Sequence, residues 1–279
     1  MTAHGGTSRA MPARAGYIVA NLVDGVVAPF RAPRGAWARR LVPAWRRFAP
    51  YVPLVAAAIA AAMVYVDAPM VRAVDRLPRG VIAAFDEVTD FGRGVWPLTP
   101  LFVLLIATPV LDMPRLSLMA RGVVTAAAIR LGYMFVAIGL AGLADTIIKR
   151  IIGRVRPSDL GPFAFEPFSW RSAYASLPSG HATNVFATLV AVGAVFPRAR
   201  PALWAYALVI AASRVIVSAH YTSDVLAGAA FGAFGALVIR DWFAARRLGF
   251  YVGRDGAVHA MPGPSWRRLM RVAAQLFGK

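Results

Sequence analysis

Six apolar segments, each close to the length that crosses a lipid bilayer, dominate the chain. A spanning helix needs about 20 mostly apolar residues, with a range of roughly 17–25. The segments cover residues 51–66, 95–111, 131–148, 181–196, 202–219 and 224–243. The composition agrees, because 58% of the residues are hydrophobic and only 16% are charged, whereas soluble domains are about 25% charged. The sequence therefore predicts an all-α fold, a polytopic membrane helix bundle with six transmembrane helices.

Arginine is concentrated at both ends of the chain, and the net charge is +18. Basic segments that flank apolar spans are typical of the cytoplasmic side of a membrane, so we expect no nucleic-acid partner. The predicted parts are a basic cytoplasmic arm over residues 1–49, a six-span domain over residues 50–243 and a basic cytoplasmic tail over residues 244–279. Within the arm, residues 17–30 predict a helix in the membrane interface, because Asp24 interrupts the apolar stretch that a signal peptide needs.

Three polar clusters interrupt the apolar pattern at the outer ends of the third to sixth spans. Ionisable groups at such positions are functional candidates by default, because lipid penalises them. The candidate residues are Lys149, Arg156, Ser179, Gly180, His181, Arg214, His220 and Asp224. The six-span topology places all of these residues at one membrane face, so we expect a single cationic pocket there.

The composition of this pocket suits a phosphate group. Arginine forms forked, charge-assisted hydrogen bonds with phosphate oxygens, and lysine adds a point charge. Gly180 allows the backbone to approach an oxyanion closely, and the amides at the start of the fourth span would point toward it. The sequence therefore predicts a phosphate-binding site.

The histidines add chemistry to this site. His220 and Asp224 are spaced i, i+4, and they meet on one helix face if the helix begins before His220. A carboxylate bonded to one ring nitrogen fixes the tautomer and leaves the other nitrogen free to attack phosphorus, forming a phosphohistidine. His181 could then protonate the leaving oxygen and later activate water.

Metal and thiol chemistry are not expected. The chain has no cysteine, which excludes thiol nucleophiles and cysteine-ligated zinc. Two histidines among so many cationic side chains would repel a divalent cation. We therefore expect a metal-independent reaction without a cofactor.

Three motifs carry a resemblance to a known family. They are Lys149-x6-Arg156-Pro157, Pro178-Ser179-Gly180-His181 and Ser213-Arg214-x5-His220-x3-Asp224. Their order and spacing resemble the signature of the type 2 phosphatidic acid phosphatase superfamily. The signature occupies residues 149–224, and the six spans extend the likeness to about residues 50–243.

The resemblance implies a role for each matching residue. His220 would be the nucleophile, His181 the general acid and Asp224 the partner that orients His220. The phosphate ligands would be Lys149, Arg156, Arg214, Ser179 and the amide of Gly180. Six-span bacterial members act on lipid phosphates at the periplasmic face of the inner membrane. The substrate would therefore be undecaprenyl diphosphate, phosphatidate, phosphatidylglycerol phosphate or a lipid A phosphate.

Three other functions remain open at this point. The same phosphohistidine could transfer phosphate to a lipid or sugar acceptor instead of water. Vanadate-dependent haloperoxidases use the same constellation, but they resemble soluble proteins and the six spans argue against them. A non-enzymatic protein could bind anionic lipid in a cationic pocket, although binding alone needs no histidine nucleophile.

Several residues beside the motifs have simpler expected roles. Asp145 is spaced i, i+4 with Lys149 and predicts an ion pair within one helix. Arg150 and Arg154 are expected to anchor the bundle among lipid headgroups, and the alternative is that they contact a second phosphate of the substrate. The stretch 86–97 is expected to form either a plain surface loop or a cover for the pocket. His4 and His259 are expected to be solvated.

Overall fold

The computed structural model describes residues 31–32, 38, 40–108, 117–158 and 160–276. The predicted interfacial helix over residues 17–30 and His4 lie outside these residues. Within these residues, ten α-helices follow one another: α1 (Ala44–Phe48), α2 (Val52–Tyr65), α3 (Asp67–Val74), α4 (Arg79–Thr89), α5 (Val95–Ala107), α6 (Leu118–Ile152), α7 (Gly180–Val195), α8 (Arg200–Ile216), α9 (Thr222–Ala245) and α10 (Trp266–Leu276). Two short strands, β1 (Phe250–Val252) and β2 (Val258–Ala260), precede α10.

Five helical segments of the described chain are long and apolar enough to cross a membrane. They are Ala44–Tyr65, Arg79–Ala107, Leu118–Ile152, Pro197–Ile216 and Thr222–Ala245. The remaining predicted span corresponds to α7, which is apolar but has only 16 residues. The prediction of a helical membrane protein is confirmed, while the sixth span stays a prediction.

The predicted connection between the first two predicted spans, residues 67–94, is helical, and its second half is continuous with the spanning segment Arg79–Ala107. It contains α3, α4 and a 3₁₀ turn over Asp90–Gly92. Apolar residues along α4 recur at helical spacing, and Val88 packs against the buried cluster of α7 and α8 that contains Val185 and Ile210. Such a stripe buries one helix face, which explains why this segment does not form an extended loop.

The short helix α7 lies at the centre of the bundle, against α6, α8 and α9. Glycines of α9 allow this packing, because a Cβ on Gly228 would collide with the carbonyl of Ser179. A Cβ on Gly232 would likewise collide with the carbonyl of Thr183. Close approach at small residues is how helices associate in lipid. The glycines of α9 therefore set the position of the start of α7.

The core of the bundle continues past residue 243. The antiparallel pair β1–β2 places Phe250 opposite Ala260, so the fold departs from the all-α prediction by one short hairpin. The Phe250 ring packs against Tyr133 of α6 at 4.7 Å between ring centroids. In α10, Val272 packs against Ala120 and its neighbours at the start of α6.

A buried ion network ties the helix starts together. Arg154, which follows α6, has no exposed surface. Its guanidinium donates to Asp67 at 2.8 Å, to Asp224 at 2.5 Å and to the Ser223 hydroxyl at 2.7 Å. Asp67 also accepts from the Ser223 backbone at 2.9 Å. The expectation that Arg154 anchors among headgroups is wrong, because two carboxylates draw it into the interior.

Replacing this arginine should destabilise the fold severely. Arg154→Ala leaves two carboxylates buried without their cation, and removing one member of a buried ion network costs about 3–5 kcal/mol. The measurement is the free energy of unfolding in detergent, from a denaturant titration. The exposed Arg198 provides the control, since Arg198→Ala should change stability by less than about 0.5 kcal/mol. Equal effects of the two changes would contradict a structural role for the network.

Candidate active site

The structure brings the predicted site residues to one end of the bundle. The end of α6, the start of α7 and the turn between α8 and α9 meet there. The Ser179 amide donates to the Asp224 carbonyl at 3.0 Å, which joins the start of α7 to α9. The amides of Ala219 and His220 both donate to the Arg214 carbonyl, at 3.1 and 3.2 Å. This pair of bonds folds the turn back onto the end of α8.

His220 is held by a backbone carbonyl. Its side chain is 3% exposed, and Nδ1 lies 2.9 Å from the carbonyl oxygen of Ser176. Because a carbonyl can only accept, Nδ1 must carry the proton and Nε2 keeps its lone pair in the neutral ring. The geometry therefore selects the tautomer whose Nε2 can act as a nucleophile.

Asp224 does not hold His220 in the predicted way. The helix α9 begins at Thr222, after His220 rather than before it, and Asp224 Oδ2 lies 3.8 Å from Nδ1. This distance allows electrostatic attraction but is too long for a hydrogen bond. Oδ2 instead accepts from the Ser176 hydroxyl at 2.6 Å and from the Tyr221 amide at 2.9 Å. The other oxygen, Oδ1, accepts from Arg154 at 2.5 Å.

Ser176 is the residue that sequence reasoning missed. Its hydroxyl lies between Asp224 and His220, 3.4 Å from Nδ1, and its carbonyl binds the same ring nitrogen. Ser176 stands outside the three motifs, and only its place just before Pro178 could have drawn attention to it. The arrangement makes Ser176 the direct holder of His220 and Asp224 an indirect one.

Burial determines the charge of His220. Removal from water, with a smaller contribution from the positive charges of Arg214 and Arg156, lowers the pKa of His220 to about 4, although Asp224 favours the protonated ring. His220 is therefore neutral at neutral pH, the form in which a histidine can attack phosphorus.

Lys149 is paired as predicted. Its Nζ lies 2.5 Å from Asp145 Oδ2, and Thr183 donates to the other oxygen of Asp145 at 3.0 Å. A Cβ placed on Gly180 would lie 2.9 Å from Lys149 Nζ. The ion pair therefore holds the ammonium group against the first residue of α7, where a side chain larger than that of glycine would crowd it.

The stretch 86–97 covers the site, which was one of its two expected roles. Thr89 of α4 accepts from Arg214 at 2.7 Å and from the Ser213 hydroxyl at 2.8 Å. Gly92 lies so close to the His181 ring that a Cβ there would fall 2.7 Å from it. His181 itself is the second residue of α7 and is half-buried.

Three of the predicted phosphate ligands carry unsatisfied polar atoms. Within the described part of the chain, Ser179 Oγ, Arg156 Nε and Arg214 Nε are buried without a hydrogen-bond partner. Ser179 is the N-cap of α7, yet its side chain makes no capping bond. The first amides of a helix also lack partners within it. Donors of this kind around a helix N-terminus fit a tetrahedral anion.

Of the remaining predictions, the one for His259 is confirmed and the one for Arg150 is not tested. His259 lies in β2 and is exposed, as expected. Arg150 donates to the carbonyls of Trp170 and Arg171, at 2.7 and 3.2 Å, so it holds the segment between α6 and α7; its contact with headgroups stays a prediction.

Residues 130–248 match the PAP2 superfamily. A protein of Rhizobium johnstonii called lipid A 1-phosphatase is 36% identical over 223 residues, which cover 77% of this chain and 86% of that protein. A protein of the same name from Rhizobium etli is 38% identical over 206 residues, covering 71% and 86%.

Comparison with solved structures gives one match, the crystal structure of the first transmembrane PAP2 type phosphatidylglycerolphosphate phosphatase from Bacillus subtilis. It is 20% identical, covers 69% of this chain and 91% of its own, and superposes with a TM-score of 0.49. The likeness to the two Rhizobium proteins extends over most of each chain, and the family match over residues 130–248 includes the three motifs. We conclude that this protein is a membrane phosphatase and belongs to the PAP2 superfamily.

Proposed function

We propose that this phosphatase removes the phosphate at position 1 of lipid A, through a phosphohistidine on His220 and without a metal ion. The choice of lipid rests on the two similar Rhizobium proteins, both called lipid A 1-phosphatase. The mechanism rests on one observation, the bond of 2.9 Å between His220 Nδ1 and the Ser176 carbonyl, which leaves Nε2 free.

In the first step, Nε2 of His220 attacks phosphorus and the bond from phosphorus to the lipid oxygen breaks. His181, in its protonated form, gives its proton to that oxygen. In the second step, His181 takes a proton from water, the hydroxide attacks phosphorus and the bond from phosphorus to nitrogen breaks. Inorganic phosphate leaves, and both histidines return to their starting forms.

Cationic groups stabilise the charge that develops on the phosphoryl oxygens. Lys149, Arg156 and Arg214 supply that charge, and Ser179 with the amide of Gly180 adds hydrogen bonds. Preorganised donors of this kind are the largest contribution to catalysis in many enzymes, since they need no rearrangement during the reaction. The pairing of Lys149 with Asp145 and of Arg214 with Thr89 keeps two of these cations in place.

An apolar groove beside the site supports a lipid substrate. It has a volume of about 340 Å³ and is lined by α2, α6 and α9 together with Leu177 and Pro178. These last two residues connect Ser176 with Ser179, so the groove runs beside residues that would bind the phosphate. An acyl chain in the groove would gain apolar contact while its phosphate reaches His220.

The site opens at the outer face of the membrane in this proposal, with both ends of the chain in the cytoplasm. Arginines support this orientation, because α1 carries Arg46 and Arg47 and α10 carries Arg267, Arg268 and Arg271. An excess of arginine marks the cytoplasmic side of membrane proteins.

The substrate and the two histidines can be tested together. His220→Ala should lower kcat on lipid A 1-phosphate by about 10⁴-fold or more, and His181→Asn should lower it about 10²–10⁴-fold. His259→Ala is the matched control and should leave kcat unchanged. Phosphate release is measured in EDTA on lipid A 1-phosphate, its deacylated water-soluble form, phosphatidate, phosphatidylglycerol phosphate and undecaprenyl diphosphate.

The expected order places lipid A 1-phosphate first in kcat/KM and its deacylated form well below it. A higher kcat/KM on any other lipid would refute the substrate, and turnover by His220→Ala would refute the mechanism. Analysis of the products separates hydrolysis from transfer, since transfer leaves the phosphate on a lipid or sugar instead of releasing it.

The tautomer of His220 makes a spectroscopic prediction. In ¹⁵N spectra of histidine-labelled wild-type protein, the His220 resonances are assigned as those that disappear in His220→Gln. Their chemical shifts should be those of a neutral ring protonated at Nδ1, and should stay unchanged down to about pH 5. The pKa in the folded protein lies below the ordinary 6.5. Stability contributed by the neutral ring is therefore lost as the pH falls from about 6.5 toward 4. Titration of these resonances near pH 6.5 would contradict the burial argument.

The orientation can be tested with single cysteines, since the chain has none of its own. Arg171 and Arg254 are both exposed, the first between α6 and α7 and the second in the hairpin. A membrane-impermeant maleimide should label Arg171→Cys in cells with a permeabilised outer membrane. It should label Arg254→Cys only after the inner membrane is broken. The reverse pattern would place the site in the cytoplasm.

A further inference from the structure

The segment between α6 and α7 exposes large apolar side chains although it lies outside the spans. Five such residues are exposed within this segment: Leu160, Phe163, Phe165, Phe168 and Trp170. The two most exposed are Phe168, at 72%, and Trp170, at 84%. A concentration of exposed apolar side chains marks an interaction surface, and the reaction proposed above makes no use of it.

Phe168 and Trp170 continue the lipid-facing surface of α6. Leu140, Leu143, Ile147 and Ile151 are all exposed, and their spacing places them along one face of the helix. Phe168 and Trp170 line a shallow groove of about 170 Å³ together with Ile147 and Ile151. The two aromatic rings therefore extend the apolar stripe of a membrane span beyond the end of its helix.

Hydrogen bonds hold in place the backbone that carries these two rings. Gly153 ends α6 in the left-handed conformation, with φ of 62°, and a Cβ there would collide with the carbonyl of Glu166. The Phe168 amide donates to the Ile151 carbonyl at 3.3 Å, and Arg150 donates to the Trp170 carbonyl at 2.7 Å. The segment thus turns back along the last turns of α6.

Phe168 also has an unusual backbone. Its φ is 60°, a region that a bulky aromatic residue rarely adopts and occupies only where its surroundings hold it. A left-handed residue at this point reverses the chain between Glu166 and Trp170. Phe168 therefore adopts a costly backbone conformation although its side chain is mainly exposed.

A lipid bilayer fits this surface better than a protein partner does. The surface is continuous with a helix face that lipid must already cover, and tryptophan is enriched where a helix end meets the membrane interface. Arg150 and Arg171 lie beside the two rings, where they can attract headgroup phosphates.

We propose that Phe168 and Trp170 form a membrane-docking face, which seats the segment between α6 and α7 in the interfacial region of the leaflet on the active-site side. Docking of this segment also sets the depth of the active site in the membrane, because Arg154 links the two. Its guanidinium donates to the Pro162 carbonyl of the segment, at 3.0 Å, and to Asp224 of the site. A lipid phosphate would then meet the site at the level of the headgroups without leaving the leaflet.

The depth of the two side chains is measurable with spin labels. The variants Phe168→Cys and Trp170→Cys are each labelled with a nitroxide and reconstituted into phosphatidylethanolamine–phosphatidylglycerol vesicles. The measurement compares the collision rate of each nitroxide with oxygen and with a water-soluble nickel complex. Leu143→Cys is the lipid-facing reference and Arg254→Cys the aqueous one. We expect both labels to favour oxygen, as Leu143→Cys does. Labels that match Arg254→Cys would overturn the proposal.

Kinetics provide a second measurement with conservative and matched controls. Phe168→Ser/Trp170→Ser should raise the KM for lipid A 1-phosphate in vesicles about tenfold and leave kcat/KM on its deacylated form within about twofold. Phe168→Leu/Trp170→Phe keeps the apolar surface and should retain the original KM. Trp266→Ser removes an exposed tryptophan of α10 and should have no effect.

The outcomes separate this proposal from that of the substrate. An equal loss on both substrates would mean that the two rings serve folding of the site and would count against docking. Wild-type protein inactive on lipid A 1-phosphate would refute the substrate, while the spin-label depths would still decide whether the face enters the bilayer.

Discussion

The buried ion network around Arg154 is the interaction on which the arrangement of the site depends. One guanidinium joins the start of α3, the segment after α6 and the start of α9 through Asp67 and Asp224. Charges taken out of water are costly unless each is paired and hydrogen-bonded. Because Arg154 is paired with both carboxylates, separating the three chain segments would leave buried charges unpaired. The same pairing sets the position of Asp224.

That position changes how the candidate nucleophile is held. One oxygen of Asp224 is occupied by Arg154, so the other receives the Ser176 hydroxyl and the Tyr221 amide. His220 then turns its Nδ1 to the Ser176 carbonyl. A carbonyl selects the tautomer of a neutral ring without adding a negative charge beside it. Burial can then keep the ring neutral, which a closer carboxylate would oppose.

Membrane packing and site chemistry meet at the start of α7. The glycines of α9 allow the backbone of α7 to come close, and this contact orders Ser179 and the first free amides of the helix. On the lipid side, Leu177 and Pro178, which directly precede Ser179, line the apolar groove. The proposed phosphate site at the end of this apolar bundle suits a substrate with a charged head and acyl chains, because polar and apolar surfaces lie within a few residues of each other.

The sequence by itself determined the helical membrane character, since lipid allows few alternatives to long apolar helices. It also determined the three motifs and the pairing of Lys149 with Asp145, which are local in the chain. The burial of Arg154 and the role of Ser176 were decided only by the tertiary structure. Arg154 and Asp67 are 87 residues apart, and Ser176 and Asp224 are 48 apart. Hydrophobic periodicity and motif spacing describe neighbours along one helix. The partners of a buried charge depend instead on which helix ends the tertiary packing brings together.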